Sequence, residues 1–202
     1  MFKKIFAVSA VALAGVASTS THAEMMTGQA IPVEGESDQS NVVELKVETK
    51  TWKCPGCNTN EQYVLQQLQE RTKVSDKNAL AAIMGNIKQE SNFTANICEG
   101  GARVPYHKCH RGGYGLIQWT SVGRYRGLGS FCKKYNCDPS SLEGQTRYMI
   151  NEPVFQRYLP EFEGHGFSIS QYMVPSYYWL GWGIKGLREQ FAHNYAKRLV
   201  WA

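Results

Sequence analysis

A glutamate at the end of an apolar helical pattern is the residue of this chain best placed for acid–base chemistry. Leu80, Ile83, Met84 and Ile87 follow one another at i, i+3, i+4 and i+7, which predicts one buried stripe of an α-helix. Glu90 comes three residues after Ile87 and continues that stripe. A carboxyl group on a core-facing surface is disfavoured as an anion, so it can stay protonated near neutral pH and donate a proton to a leaving group. The pattern favours a general acid of the kind that glycosidases use, although an ordinary exposed glutamate at a helix end also fits it.

Two short motifs connect this glutamate to a known family. The runs Glu90-Ser91-Asn92-Phe93 and Gly115-Leu116-Ile117-Gln118 resemble the Glu-Ser and Gly-Leu-x-Gln signatures of the lysozyme-like superfamily, which includes soluble lytic transglycosylases. The wider run from Ala79 to Glu152, roughly a third to a half of the chain, is most similar to the phage tail lysozyme domain. The similarity is carried by Ile83-Met84-Gly85-Asn86-Ile87-Lys88-Gln89-Glu90-Ser91, Gly113-Tyr114-Gly115-Leu116-Ile117-Gln118-Trp119-Thr120 and Leu142-Glu143-Gly144-Gln145. The resemblance implies a lysozyme-like fold and a peptidoglycan substrate.

The residues around these motifs suggest how a sugar polymer would be held. The glycines at positions 112, 113 and 115 would let the backbone approach a sugar closely, because they lack a Cβ. Gln118 would position a water molecule or an N-acetyl group, and Ser91 is a further substrate-binding candidate. Tyr114 and Trp119 would offer ring faces to the sugar, with ordinary core packing as the alternative. A second aromatic cluster, with Tyr178 as its candidate binding residue, would line the opposite wall of the cleft; its members are Tyr177, Tyr178, Trp179 and Trp182.

The second catalytic group is less clear from the sequence. Glu99 lies nine residues after Glu90, a spacing similar to that of some phage lysozymes, which have Asp there. A surface loop acid is the alternative for Glu99. If Glu90 acts alone, either water attacks with help from Gln118, or intramolecular attack gives the 1,6-anhydro product of a lytic transglycosylase. The Ala-Tyr-Asn motif of the transglycosylases is absent, and this departure favours hydrolysis.

Six cysteines follow residue 50, an even number that is typical of disulfides in an exported protein. Six cysteines allow 15 pairings, and short loop closure favours Cys54–Cys57, Cys98–Cys109 and Cys132–Cys137. The Cys54-Pro55-Gly56-Cys57 run also has thioredoxin-like spacing, but no strand precedes it. A zinc site made from these cysteines together with His107, Cys109 and His110 is a further alternative. Structural disulfides remain the preferred interpretation, with no metal and no cofactor.

The N-terminus has the pattern of a secretory signal peptide over residues 1–23. Lys3 and Lys4 form a basic start, the apolar stretch 5–17 is too short to span a bilayer comfortably, and Thr21-His22-Ala23 offers a cleavage site. We expect cleavage after Ala23 and a periplasmic or secreted protein without a stable membrane anchor.

The remainder divides into an acidic linker, 24–51, and one domain, 52–202. The linker has six acidic residues and two lysines, with no aromatic residue. The domain has 18 Lys and Arg residues and 11 Asp and Glu residues, a net charge of +7 that would attract an anionic cell wall. The basic residues are dispersed, with no run of five, so nucleic acid is not expected as a partner.

Helical patterns dominate the domain. Helix starts are predicted at a Thr59-x-x-Gln62 capping box, at Ser75, at Ser121 and at Ser140-x-x-Glu143, and a last helix is predicted over 186–200. Residues 94–120 read as irregular structure or short hairpins. The fold class is therefore α+β, mainly α, with a helical core and a small irregular or β lobe.

Two functions from different classes follow. The first is an exported muramidase, expected to be monomeric, that cleaves the β-1,4 bond between N-acetylmuramic acid and N-acetylglucosamine in peptidoglycan glycan strands. The second is a non-catalytic glycan-binding component of a cell wall or virion. An intact Glu90 and Gln118 favour the enzyme, because a pure binder has no need of a buried acid.

Overall fold

The computed structural model describes residues 49–110 and 112–202. The predicted signal peptide and nearly all of the predicted linker lie outside the described residues.

Most of the described chain is helical, and the predicted mainly helical α+β class is confirmed. The helices are α1 (Thr59–Arg71), α2 (Lys77–Ser91), α3 (Val122–Tyr135), α4 (Leu142–Asn151), α5 (Pro153–Phe162), α6 (Ile169–Leu180) and α7 (Arg188–Arg198). A single 3₁₀ turn, Tyr106–Lys108, lies in the otherwise irregular segment between α2 and α3. None of the helices in this part of the chain is both long and apolar enough to cross a membrane.

A two-stranded antiparallel sheet joins the beginning and the end of the described chain. Strand β1 (Trp52–Lys53) pairs with β2 (Val200–Trp201), so that Trp52 lies opposite Trp201. The two indole rings meet edge to face, with centroids 5.2 Å apart. In the irregular lobe between α2 and α3, the residues that the structure describes form isolated bridges, such as Cys98 with Tyr114.

Helix α2 is the central element of the core. Its predicted stripe is confirmed, because Leu80, Ile83, Met84 and Ile87 have no exposed surface. The helix is capped by Asp76 and not by Ser75, since the Asp76 carboxylate accepts hydrogen bonds from two backbone N–H groups of the first turn.

Two other predicted caps are also shifted by one residue. The capping box of α1 is formed by Asn58 and Glu61, which exchange reciprocal side chain–backbone hydrogen bonds. Helix α4 is capped by Ser141 and not by Ser140. The predicted cap of α3, Ser121, is the one observed. The last helix is shorter than predicted, because the chain becomes extended at Leu199 and continues into β2.

The six cysteines form three disulfides. They are Cys54–Cys57, Cys98–Cys109 and Cys132–Cys137, the pairs that short loop closure favours. The second of these closes the irregular lobe next to Glu99. The pairing leaves none of these thiols available as a zinc ligand.

Candidate active site

The last part of the irregular lobe contains Gly112, Gly113 and Gly115 and is called the glycine loop here. Three polar side chains shape this loop. A Cβ at Gly112 would lie 1.7 Å from Oε2 of Glu99, and one at Gly113 would lie 2.9 Å from Oε1 of Gln118. At Gly115, where φ is +75°, a Cβ would lie 2.3 Å from Oε1 of Gln145. The expectation that these glycines make room for a sugar is therefore revised: each makes room for a side chain of the protein itself.

Glu99 and Gln118 are brought together at Gly113. The backbone N–H of Gly113 donates a hydrogen bond of 2.9 Å to Oε2 of Glu99, whose side chain is otherwise exposed. Gln118 has the left-handed φ of +53°, and its Nε2 donates to the carbonyl oxygen of Gly115 at 2.9 Å. The carboxylate of Glu99 and the carboxamide of Gln118, 19 positions apart in the chain, thus lie beside the same glycine.

Gln145 holds the glycine loop against α4. Its side chain is completely buried, and its Oε1 accepts a hydrogen bond of 2.7 Å from the Leu116 N–H. Its Nε2 donates to the carbonyl oxygens of Ala95 and Pro139 at 2.7 and 2.8 Å. All three of these hydrogen bonds join the Gln145 side chain to the protein backbone, so Gln145 holds the loop in position. The sequence places Gln145 within a family motif, but no role was predicted for it.

Glu90 lies in the last turn of α2, as predicted, with 15% of its side chain exposed. Its Oε1 forms an ion pair with Nη2 of Arg188, the first residue of α7. The Arg188 guanidinium also lies over the ring of Trp182, 4.8 Å from the ring centroid. Glu90 is therefore half-buried, and it is paired with Arg188. No local sequence pattern indicates this partner.

The hydroxyl group of Ser91, a predicted substrate-binding residue, is engaged within the protein. Ser91 is 5% exposed, and its Oγ donates a hydrogen bond of 2.7 Å to the Leu116 carbonyl oxygen. The residue next to Glu90 therefore fastens the end of α2 to the glycine loop. This contact places the helix that carries Glu90 beside the loop that carries Gln118.

Tyr114 and Trp119 have no exposed surface, which fits the alternative of ordinary core packing. The Tyr114 hydroxyl donates to the Val104 carbonyl oxygen at 3.1 Å. The Trp119 indole N–H donates at 3.1 Å to the carboxylate of Glu152. Both aromatic residues are part of the core under the glycine loop.

Glu152 is the centre of a buried polar network beneath the site. Besides the bond from Trp119, its carboxylate accepts one from the indole N–H of Trp179 at 3.1 Å and pairs with Arg124 at 2.5 Å. Burial, followed by the negative charge of Glu152, raises the pKa of the neighbouring Tyr148 to about 12. Tyr148 therefore stays a neutral donor, and it bonds the Arg124 carbonyl oxygen at 2.9 Å.

Tyr178 lies on the surface, as a residue that contacts a ligand must. It is 57% exposed and stacks on Tyr158 with ring centroids 5.8 Å apart. With its neighbour Tyr177 and with Trp182 it lines a shallow depression of about 300 Å³. Of the predicted aromatic cluster, Trp179 alone is buried in the core.

Comparison with known families identifies a match that covers the predicted site. The family model described as phage tail lysozyme matches residues 59–160, a span that contains Glu90, Glu99 and Gln118. No curated protein and no solved structure matches the chain.

Proposed function

The chain belongs to the phage tail lysozyme family, and from this premise we propose that it is an exported muramidase. Membership indicates a lytic, peptidoglycan-degrading enzyme in general. The finer proposal is hydrolysis of the β-1,4 bond between N-acetylmuramic acid and N-acetylglucosamine. The observation that carries it is the arrangement of one half-buried carboxyl group, Glu90, beside a loop in which a second carboxylate, Glu99, and a carboxamide, Gln118, lie next to the same glycine.

Glu90 is proposed as the general acid. It is partly exposed at the end of a rigid buried helix, so it can reach a substrate while its backbone stays fixed. In the reaction it would protonate the glycosidic oxygen as the bond to the anomeric carbon breaks.

Glu99 and Gln118 are proposed to hold and activate the attacking water. Both side chains lie beside Gly113, so a water molecule placed between them would meet one acceptor that can take a proton and one amide that can orient it. This second carboxylate is the feature that favours hydrolysis over the intramolecular attack of a lytic transglycosylase.

The exposed tyrosines of α6 are proposed to extend the glycan-binding surface. Tyr178 and Tyr177 present ring faces and hydroxyl groups beside Trp182, which is linked through Arg188 to Glu90. Amphipathic rings of this kind suit a sugar, which has both apolar C–H faces and hydroxyl edges.

Digestion of purified sacculi tests the proposal. Glu90→Gln should lower the release of muropeptides by more than about 100-fold, because the amide is nearly isosteric but cannot donate the catalytic proton. Glu143→Gln is the matched control, since Glu143 is also a helix carboxylate with an arginine partner but is mostly exposed. Release by Glu90→Gln within a few fold of wild type, at equal amounts of folded protein, would remove Glu90 from the mechanism.

Mass spectrometry of the same digests reports the bond and the chemistry. Hydrolysis leaves reducing N-acetylmuramic acid ends, which borohydride converts to the alcohol with a shift in mass. Dominant 1,6-anhydro ends, which borohydride leaves unchanged, would identify a transglycosylase with the acid still at Glu90. Binding to sacculi without any release of fragments would identify the non-catalytic glycan binder.

A further inference from the structure

The ion pair of Glu90 comes from a part of the chain beyond the family match. Arg188 opens α7, whereas the match ends at residue 160. The two residues are 98 positions apart, so the contact depends on how the C-terminal segment docks on α2.

That docking is close and specific. A Cβ at Gly85 of α2 would lie 2.5 Å from the backbone nitrogen of Ala192, so the two helices meet backbone to backbone. One turn further along, Oε1 of Gln89 accepts a hydrogen bond of 3.0 Å from the Leu187 N–H, directly before Arg188. The start of α7 is therefore held at a set position relative to the last turn of α2.

The guanidinium of Arg188 is itself held from several sides. Its Nη1 donates to the carbonyl oxygens of Ile184 and Lys185, each at 2.9 Å, and its plane lies over Trp182. The residue is 7% exposed. Because its side chain is already fixed in this way, Arg188 loses little further conformational entropy when it pairs with a carboxylate.

The other cations near this end of α2 are engaged elsewhere. Lys88 pairs with Glu61, and Lys185 pairs with Glu189. Among the ion pairs of the described residues, Arg188 is the partner of Glu90.

We propose that Arg188 is a positioning residue for Glu90, supplied by the C-terminal segment, and that the catalytic site is incomplete without it. This inference rests on the proposed role of Glu90. Arg188 holds the carboxyl group in one orientation, and its positive charge stabilises the carboxylate that forms when the proton passes to the glycosidic oxygen. It contacts Glu90 and needs no contact with the substrate.

The test compares two arginines of the same helix. Arg188→Met keeps an unbranched side chain of three methylene-sized steps beyond Cβ and removes the charge and the donor groups. Arg198→Met is the matched control, since Arg198 ends α7, also lies over an aromatic ring (Tyr195, 4.5 Å) and also donates to a backbone carbonyl oxygen. We expect Arg188→Met to lower kcat on soluble peptidoglycan fragments by about ten- to a hundred-fold with KM within about twofold. Arg198→Met should keep both constants near wild type.

A conservative variant separates positioning from a structural role. Arg188→Lys, which keeps the charge but not the fork of donors, should recover part of the lost kcat while KM stays within about twofold of wild type. Circular dichroism and thermal unfolding show whether each variant is folded; if Arg188→Met is not, the kcat of the Lys variant decides.

The outcomes are distinct. A wild-type kcat in folded Arg188→Met, or an equal loss in Arg198→Met, would overturn the positioning role. A wild-type protein that releases no muropeptides would instead overturn the proposed function, whatever Arg188 does.

Discussion

At the scale of single residues, the site depends on polar groups that the backbone of the glycine loop holds in place. Glu99 is the sharpest case, because its carboxylate accepts the Gly113 N–H through one oxygen, and a glutamine can accept the same bond. Glu99→Gln therefore keeps the hydrogen bond and removes only the charge and the basicity. We expect wall hydrolysis to fall by about 100-fold or more if Glu99 is the base.

The measurement is the initial rate of muropeptide release, with the borohydride-reducible ends counted. Glu161→Gln, at an exposed position of α5, serves as the control for loss of a surface carboxylate. Unchanged release in Glu99→Gln would contradict the base assignment and point to a mechanism in which Glu90 makes both proton transfers.

The sequence motifs single out individual residues at this scale, but they do not show where each side chain points. Tyr114, Trp119 and Ser91 stand in or beside the motifs, but their side chains are buried and hold the loop. A motif shows that a residue type is needed, whereas the direction of its side chain depends on the surrounding packing. Arg188 had no local signal, because its partner lies 98 positions away.

At the scale of elements, the periodic stripe predicted α2, and the start signals and the predicted range 186–200 gave α1, α3, α4 and most of α7. Helices α5 and α6 were not predicted, and each contains an internal proline, Pro160 or Pro175, which usually ends a helix. Strands β1 and β2 have two residues each, too few to show an alternating pattern. The cap positions were wrong by one residue where two capping residues stand side by side.

A buried carboxylate joins three helices beneath the site. Glu61 of α1 accepts hydrogen bonds from Tyr195 of α7 at 2.5 Å and from Lys88 of α2 at 3.2 Å. Burial opposes the charge of Glu61, but the bonds from Tyr195, the Asn58 backbone and Lys88 outweigh it and lower its pKa below the ordinary 4.5. A lowered folded-state pKa adds stability that is fully present above pH 4.5 and is lost as the pH falls through the folded-state value.

Glu61→Gln should therefore destabilise the protein at pH 7, by roughly 1–3 kcal/mol for the charged hydrogen bonds that it weakens. The difference from wild type should shrink as the pH is lowered below 4.5, because the wild-type carboxylate becomes protonated. Urea unfolding at a series of pH values measures this. Glu70→Gln, which changes an exposed carboxylate on the same helix, is the control. If the loss of unfolding free energy in Glu61→Gln did not depend on pH, the stability would not depend on the ionisation of Glu61.

At the scale of the whole molecule, the described chain closes on itself around the site. The matched half, residues 59–160, carries Glu90, Glu99 and Gln118. The segment after it adds Arg188, and its last strand pairs with the strand that precedes the match. A fragment limited to the matched residues would lack the partner of Glu90 and the helix that covers α2.

The charge of the domain gives a prediction for the molecule as a whole. Residues 52–202 have a net charge of +7, and peptidoglycan with its peptide carboxylates is anionic, so long-range attraction should speed encounter with the wall. Raising the ionic strength from about 0.01 to about 1 M shortens the Debye length from roughly 30 to 3 Å and should slow the digestion of sacculi about tenfold or more. Cleavage of a neutral N-acetylglucosamine oligomer is the control, because its encounter with the enzyme lacks this attraction. An equal effect of salt on both substrates would show that salt acts on the catalytic site or on the fold, and that the surface charge does not guide the enzyme to the wall.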